Sequence, residues 1–208
     1  MRLSVIRPVI AVALATALTG CFNSVDPVSE MYGATMGSTY SIKWVPVDDA
    51  PDTEALQADI DGMLARFDAE VSTWRSDSTL AQFNAAPAGT CMDMPESVLT
   101  MMEQSDRLSA ESDGAFDVTV APLLKLWGFH GDPQLQTVPD QELLEQAMAQ
   151  VGQQHLHIDD GQLCKDVPLT VDFSSIGAGY MVDRVAERLE HYGIKSYMVE
   201  ITGELKAV

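Results

Sequence analysis

Basic residues are scarce in this chain. Its 208 residues include 12 lysines and arginines against 31 aspartates and glutamates, and the formal net charge is −19. Arg2 and Arg7 lie in an N-terminal stretch without acidic residues, so the remainder of the chain carries −21. Nucleic acids and anionic lipid surfaces are bound through basic patches. The composition therefore argues against both as partners of the domain, and an anionic ligand would need a divalent cation or backbone N–H groups to hold it.

Histidine and cysteine are also few, with four and three residues. His130, His155, His157 and His191 do not stand at the spacing of a general base and a serine or cysteine nucleophile. The cysteines are far apart in the sequence and have no histidine at metal-ligand spacing. We therefore predict neither a catalytic triad nor a zinc site.

The N-terminal apolar run, PVIAVALATAL at Pro8–Leu18, is too short for a comfortable membrane span. It follows a basic start and ends in LTGC at Leu18–Cys21, which resembles the lipobox of bacterial lipoproteins. In those proteins the cysteine becomes the lipidated, palmitate-bearing first residue of the mature chain. We predict a lipoprotein signal peptide over residues 1–20, lipidation of Cys21 and a tether over residues 21–32. The expected location is the cell membrane, facing the periplasm, with the inner membrane preferred, and the alternative is an ordinary secretory peptide.

Export would place the remaining pair, Cys91 and Cys164, in an oxidising compartment. A disulfide between them would close a long loop and stabilise the fold by about 4 kcal/mol. Two unpaired buried thiols are the alternative, and the sequence leaves both open.

The apolar periodicity predicts one α+β domain over residues 33–208. Thr35–Val47 alternates as a half-buried strand does, and Asp52 or Thr53 can cap a helix with an apolar stripe. The order of strands and helices is too irregular for a doubly wound sheet. Further expected elements are a short helix within Ser72–Asn84, a helix from Pro95 to about Ala110, a strand opening Gly114–Phe129, a helix from Thr137–Pro139 to Gly152, a hairpin at Asp160-Gly161, a strand at Leu169–Phe173 and two strands around Thr202-Gly203.

The segment VDFSSIGAGYMVDRV is typical of a strand, a glycine turn and a helix. Backbone N–H groups and the helix dipole converge at such a turn and can hold a phosphate. The Lys-Ser/Thr pair of a Walker loop is missing, and Gly177 and Gly179 do not complete the G-x-G-x-x-G pattern. Taken alone, the segment is compatible with a phosphate site or with a plain turn.

Two acidic residues and one tryptophan are further candidates. Asp172 and Asp117 stand in apolar segments, where a carboxylate must be paired, hydrogen-bonded or bound to a ligand. Trp74 lies in a polar stretch and can serve either as a stacking platform for a planar ring or as a lid over the core. For the acids, the alternatives to a ligand site are a capped turn or pairing with an arginine.

Taken together, four segments carry a resemblance. In their order and spacing these segments closely resemble the ApbE family of bacterial FAD:protein FMN transferases. The segments are GATMGSTYSI, STWRSDSTLAQFN, GAFDVTVAPLLKLWGF and VDFSSIGAGYMVDRVAE. The resemblance covers about residues 31–208. It implies an enzyme that uses Mg²⁺ to transfer FMN from FAD to a threonine or serine hydroxyl of a target protein, with release of AMP. Expected targets are subunits of the Na⁺-pumping NADH:quinone reductase or related electron-transfer complexes.

The resemblance also assigns site residues. Ser175 would offer its backbone carbonyl to the magnesium ion. The residues implied to contact FAD are Met36, Trp74, Ala115, Phe116, Asp117, Asp172 and Ala178.

The chain departs from the family pattern at several positions. Ala178 stands where the family commonly has lysine or glutamate, and His130 stands where WGFG is common. Family members continue past the equivalent of Val208 with a histidine and with the aspartate and threonine of the metal site, so the catalytic residues are expected beyond residue 208. The alternative functions are an FAD pyrophosphatase that yields FMN and AMP, and a non-catalytic flavin-binding lipoprotein.

Overall fold

Two antiparallel sheets form the frame of the protein. The computed structural model describes residues 27–129 and 138–208. The larger sheet has the order β1-β2-β6-β7 and the smaller one the order β3-β5-β4. The strands are β1 (Ser29–Thr35), β2 (Ser38–Trp44), β3 (Thr90–Asp93), β4 (Leu156–Asp159), β5 (Gln162–Lys165), β6 (Tyr197–Ile201) and β7 (Glu204–Ala207).

Helices pack against these sheets and against one another. They are α1 (Thr53–Val71), α2 (Thr79–Ala85), α3 (Glu96–Glu111), α4 (Ala121–Leu126), α5 (Gln141–Met148) and α6 (Gly177–His191), and a 3-10 turn spans Gln153–His155. Helix α6 packs on β6 and β7, and α1 packs on β1, α2 and α3. This mixture of helices and antiparallel sheets confirms the predicted α+β class. Among the described helices, none combines the length and apolarity that a membrane crossing requires.

Hairpin turns with positive φ at both central residues connect neighbouring strands. The pairs are Met36-Gly37 (φ 47° and 74°), Asp160-Gly161 (45° and 80°) and Thr202-Gly203 (52° and 104°). Such turns match the right-handed twist of the strands they join. The last two confirm predicted hairpins. The first corrects the single strand predicted over Thr35–Val47, because the chain reverses at Met36-Gly37. Strand β1 also corrects the predicted tether, since residues 29–32 belong to the sheet.

Several helices follow the predicted pattern. The Asp52 carboxylate caps α1 by accepting a hydrogen bond from the backbone N–H of Ala55 at 2.8 Å. Leu56, Ile60 and Leu64 of α1 are buried in the core together with Phe67. Helices α2, α3 and α6 also lie where the sequence predicts them, whereas the helix predicted to reach Gly152 ends at Met148.

The strands predicted at the start of Gly114–Phe129 and at Leu169–Phe173 are wrong. Neither segment belongs to a sheet; residues 169–173 are largely buried, whereas only Val118 and Thr119 are buried at the start of Gly114–Phe129. Between these segments, one backbone hydrogen bond runs from the N–H of Asp172 to the carbonyl of Val118 at 2.8 Å. The apolar residues predicted strands here. In the structure the backbone N–H groups of Phe116, Val118, Thr119 and Val171 donate to side chains rather than to a neighbouring strand.

A disulfide joins the two sequence-distant cysteines. Cys91 of β3 and Cys164 of β5 are direct partners in the antiparallel register and are covalently linked. The structure therefore decides between the two open alternatives in favour of the disulfide. The predicted lipidation site Cys21 and the residue His130 lie outside the described residues.

Candidate functional site

One cleft, with a volume of about 390 Å³, lies at the end of the larger sheet. Its walls are the Met36-Gly37 turn, the C-terminal end of α1 with the loop that follows (residues 67–68 and 71–75), and the segment that leads into α6. Thr202, from the turn between β6 and β7, completes the lining. Both hairpin turns reach the cleft because they lie at the same end of the sheet, where the N–H of Thr202 donates to the carbonyl of Thr39 at 3.0 Å.

Asp172 enters the cleft from an extended segment. Val171 and Phe173 are buried in the core, and side chains alternate along an extended backbone, so Asp172 faces the other way. Its side chain is only 7% exposed. The Oδ1 atom accepts hydrogen bonds from the backbone N–H of Ser174 at 2.8 Å and from the Ser174 hydroxyl. This local turn fixes the carboxylate at the cleft wall.

Helix α6 begins at Gly177, five residues after Asp172, and contributes backbone donors. The N–H groups of Ile176 and Gly177 donate to the carbonyl of Phe173 at 3.0 and 2.8 Å. Those of Ala178 and Gly179 have no hydrogen-bond acceptor among the residues that the structure describes. Free N–H groups in the first turn of a helix, together with the helix dipole, form a favourable position for an anion.

Gly177 faces Phe67 of α1. A Cβ atom at this position would lie 3.4 Å from Cζ of Phe67, which is ordinary contact with little room to spare. At Gly179 a Cβ would meet nothing within 4 Å. The packing therefore requires glycine at neither position, although Gly177 adjoins Phe67 and Gly179 stands in open space.

Trp74 lies on the rim of the cleft with 84% of its surface exposed. Its loop is held by Ser78, whose hydroxyl donates to the carbonyl of Ser72 at 2.6 Å and accepts from the N–H of Ala81 at 3.0 Å. A side chain this exposed does not cover a core. The geometry favours the stacking platform over the lid, the two alternatives left open by the sequence.

The charge of the cleft is not arranged to attract an anion at long range. Arg75 binds Asp77 through Nε and NH2 at 3.0 and 2.9 Å and lies 3.6 Å from Asp68. The hydrogen bonds and charge of Asp77 raise the pKa of Arg75, and Arg75 in turn lowers the pKa of the Asp77 carboxyl. The cleft also contains Asp172. A phosphate here would depend on the backbone donors at the start of α6.

The structure does not bring three of the predicted FAD contacts to this cleft, namely Ala115, Phe116 and Asp117. The Asp117 carboxylate accepts hydrogen bonds from the N–H and hydroxyl of Thr119 at 2.7 and 2.5 Å and from the N–H of Gln153 at 3.0 Å. These bonds match the capped turn that the sequence left as the alternative. A hydrogen bond between Asp172 and Val118 connects the segment to the wall of the cleft.

Ser175 lies on the surface between Asp172 and α6. No group of three or more histidine, cysteine, aspartate or glutamate side chains suited to a metal ion occurs among the described residues. The described part of the chain therefore does not form the predicted magnesium site by itself.

The sequence did not single out several residues of the cleft. These are Phe67, Asp68, Arg75, Ser174 and Thr202. The Thr202-Gly203 turn was recognised as a turn, but nothing local indicates that it meets Met36-Gly37. Of the predicted FAD contacts, Met36, Trp74, Asp172 and Ala178 do lie together in the cleft.

Comparison with known proteins gives relatives of one kind. FAD:protein FMN transferase from Vibrio cholerae is 39% identical over 198 residues, which is 95% of this chain and 59% of that protein. The transferase of Escherichia coli K12 is 33% identical over 219 residues, covering all of this chain and 62% of its own length. The chain thus spans about three fifths of the curated relatives it matches.

Solved structures agree in fold. The apo form of flavinyl transferase ApbE from Pseudomonas stutzeri superposes with a TM-score of 0.81 at 51% identity, over 88% of this chain and 58% of that one. Flavin transferase ApbE from Vibrio cholerae gives a TM-score of 0.82 at 39% identity, over 87% and 59%. The sequence profile of the ApbE family matches residues 36–208, which include every residue of the cleft. The predicted family is confirmed, and the chain belongs to the ApbE family.

Proposed function

We propose that this chain is the FAD-binding part of an FAD:protein FMN transferase, which moves FMN from FAD to a threonine or serine hydroxyl of a target protein and releases AMP. The observation that carries the proposal is the cleft that combines an exposed aromatic rim, a buried carboxylate and the free N–H groups of a helix start. Relatives that carry this activity in their names support it.

Each wall of the cleft has a task in binding. The indole of Trp74 stacks on a planar ring of the ligand. The N–H groups of Ala178 and Gly179 donate to pyrophosphate oxygens, which compensates for the acidity of the protein. The carboxylate of Asp172 accepts a hydrogen bond from an N–H or O–H of the nucleotide, and its low exposure makes that bond stronger than it would be in water.

The transfer itself needs two reactants held in line. The acceptor hydroxyl oxygen forms a bond to the phosphorus of the FMN half, and the bond from that phosphorus to the bridging oxygen breaks. AMP leaves with the electron pair, and the hydroxyl proton passes to a general base. What this chain contributes is the fixed position of the pyrophosphate, which lowers the entropic part of the barrier.

Magnesium, acceptor and location are also proposals. The described residues do not complete a magnesium site, so we assign no step to the metal, and Ser175 stays a predicted ligand. The proposed acceptor is a subunit of the Na⁺-pumping NADH:quinone reductase or a related complex. The proposed location is the periplasmic side of the cell membrane, with the inner membrane preferred and Cys21 as the lipid-bearing residue.

Mass spectrometry tests the proposed activity. The full-length protein is incubated with FAD, Mg²⁺ and a candidate acceptor. The acceptor is expected to gain the mass of one FMN less one water, because AMP leaves with the bridging oxygen, while AMP accumulates. Steady AMP release without that gain, across the candidate acceptors, would overturn the transferase and support the pyrophosphatase. FAD binding without AMP release would support the non-catalytic binding protein.

A further inference from the structure

The segment that carries Asp172 into the cleft, residues 169–173, belongs to neither sheet. Val171 within it is fully buried, and buried backbone N–H and C=O groups need partners. Both groups of Val171 find them in the side chain of Asn84. The N–H of Val171 donates to Asn84 Oδ1 at 2.8 Å, and Asn84 Nδ2 donates to the carbonyl of Val171 at 2.8 Å. One amide therefore takes the place of a neighbouring strand.

This pairing sets the direction of Asp172. The next peptide N–H, that of Asp172, is bound to the carbonyl of Val118, so the backbone is held on both sides of the residue. With Val171 and Phe173 directed into the core, the Asp172 carboxylate has only the cleft side left. Without the Asn84 amide, the Val171 peptide groups would be buried and unpaired, and the segment would turn to find other partners.

The backbone of Asn84 is itself held by Lys165. The Lys165 side chain is 1% exposed, and its ammonium donates to the carbonyls of Phe83 at 2.7 Å, Asn84 at 3.1 Å and Leu169 at 3.4 Å. Phe83 and Asn84 lie in the last turn of α2, where carbonyl groups lack helical partners and a cation is favourable. The ammonium thus joins the end of α2 to the first residue of the segment it positions.

We propose that Asn84 is a positioning residue for flavin-nucleotide binding: its side-chain amide holds the Val171 backbone so that Asp172 faces the ligand, and Lys165 fixes the main-chain carbonyls of Phe83 and Asn84. Asn84 does not line the cleft, so it acts through Asp172 and not by contact. The proposal rests on the proposed function, because that function assigns Asp172 to FAD.

A double-mutant cycle on the full chain tests the proposal, with the dissociation constant for FAD measured by isothermal titration calorimetry. Asn84→Leu is expected to weaken binding about tenfold, because two buried hydrogen bonds that orient Asp172 are lost. In the Asp172→Ala background the same substitution is expected to change the affinity less than about twofold, since nothing remains to be positioned. A purely structural role of Asn84 would give the same factor in both backgrounds.

Two further variants guard against a trivial loss of fold. Asn84→Asp keeps the size and the acceptor but replaces the donor to the Val171 carbonyl, and it is carried through the same cycle. Val98→Ala, in the core face of α3 away from the cleft, is expected to lower the melting temperature and leave the FAD affinity unchanged.

The outcomes separate this proposal from the one it rests on. Wild-type protein that binds FAD, together with Asn84 variants that bind it equally well or lose equal factors in both backgrounds, overturns the positioning role alone. Wild-type protein that does not bind FAD overturns the proposed function and the positioning role with it.

Discussion

The Asp172 carboxylate combines low exposure with a position on the cleft wall, and both matter for its expected contribution. A hydrogen bond to a charged group is worth about 1.5–3 kcal/mol, so Asp172→Ala should weaken FAD binding roughly tenfold to hundredfold. Calorimetric titration measures this. Asp159→Ala, which removes an exposed carboxylate of β4, is the control and should bind as the wild type does. An unchanged affinity in Asp172→Ala would remove this residue from the site.

Trp74 is the opposite case, an aromatic side chain that lies mostly exposed on the rim of the cleft. Trp74→Ala should reduce the free energy of FAD binding by about 1 kcal/mol through lost stacking. Its melting temperature should not change, because the side chain is 84% exposed. Trp74→Tyr keeps an aromatic face and should retain most of the affinity. A lower melting temperature in Trp74→Ala would instead indicate a lid over the core.

Among single residues, the sequence predicted those whose surroundings look unusual locally. Asp172 stands among apolar residues and Trp74 among polar ones, and both lie in the cleft. Asp117 shows the same local pattern as Asp172, yet its carboxylate is bound by Thr119 and Gln153. Nothing local distinguishes the two aspartates, because the partner Gln153 is 36 residues away. The same holds for Asn84, whose partner Val171 is 87 residues away.

At the scale of elements, the β1–β2 hairpin depends on a glycine under an aromatic ring. Gly33 is paired with Tyr40, and a Cβ at Gly33 would lie 2.3 Å from a carbon of the Tyr40 ring. Tyr40 in turn donates from its hydroxyl to Asp61 of α1 at 2.6 Å. The ring therefore links the sheet to the helix only while residue 33 lacks a side chain.

Gly33→Ala should lower the free energy of unfolding by about 1–3 kcal/mol, since the Tyr40 ring must move from a filled position. The matched control is Gly62→Ala in α1, where a Cβ meets nothing within 4 Å. That variant should gain about 0.5–1 kcal/mol from the helix preference of alanine. Urea denaturation measures both, and equal stability of the two variants would contradict the packing argument.

The contact between α6 and β6 is expected to make stability depend on alkaline pH. The Tyr197 hydroxyl donates to the Glu190 carboxylate, and burial together with this bond raises the pKa of Tyr197 from 10.0 to about 12. The Tyr197 hydroxyl therefore stays protonated to a higher pH in the folded protein than in the unfolded chain. The contribution of this hydroxyl to the free energy of unfolding is complete below pH 10 and is lost as the pH rises from 10 to about 12.

Unfolding free energies measured between pH 9 and pH 12 test this dependence. Tyr197→Phe should flatten the alkaline decline, because the titrating group is gone. Tyr192→Phe removes a different hydroxyl, the donor to Asp59, and should keep the decline. The same slope in Tyr197→Phe as in the wild type would show that other groups cause it.

Periodicity predicted the elements that carry their own signal and missed those that depend on distant partners. Asp160-Gly161, with the typical Asp-Gly pair, and Thr202-Gly203 close predicted hairpins, whereas the hairpin closed by Met36-Gly37 was missed. The segment 169–173 is buried as a central strand would be, except at Thr170. Its buried Val171 pairs with a side-chain amide, and no local pattern distinguishes that arrangement from a sheet.

At the scale of the whole molecule, the excess of acidic residues opposes the approach of an anionic nucleotide. The net charge of −19 repels FAD until the N–H groups at the start of α6 can act at short range. Raising the ionic strength from about 0.01 M to about 0.15 M shortens the Debye length from about 30 Å to about 8 Å. The association rate constant of FAD should therefore rise with salt.

Stopped-flow fluorescence measures that rate constant. Riboflavin, which lacks the phosphates, is the matched ligand and should associate at a rate that salt hardly changes. A rate constant for FAD that falls with salt would mean that a positive local field at the cleft outweighs the charge of the whole protein.

The bond between Cys91 and Cys164 closes a covalent ring of chain that contains α3, α4 and α5. Asn84 lies before this ring and Val171 after it, so the two residues that meet beside the cleft belong to the two arms that leave the ring. A protease that cuts once inside the ring releases no fragment, and the two arms stay covalently joined. Such a nicked chain would run as one species on a non-reducing gel and separate into two only after reduction.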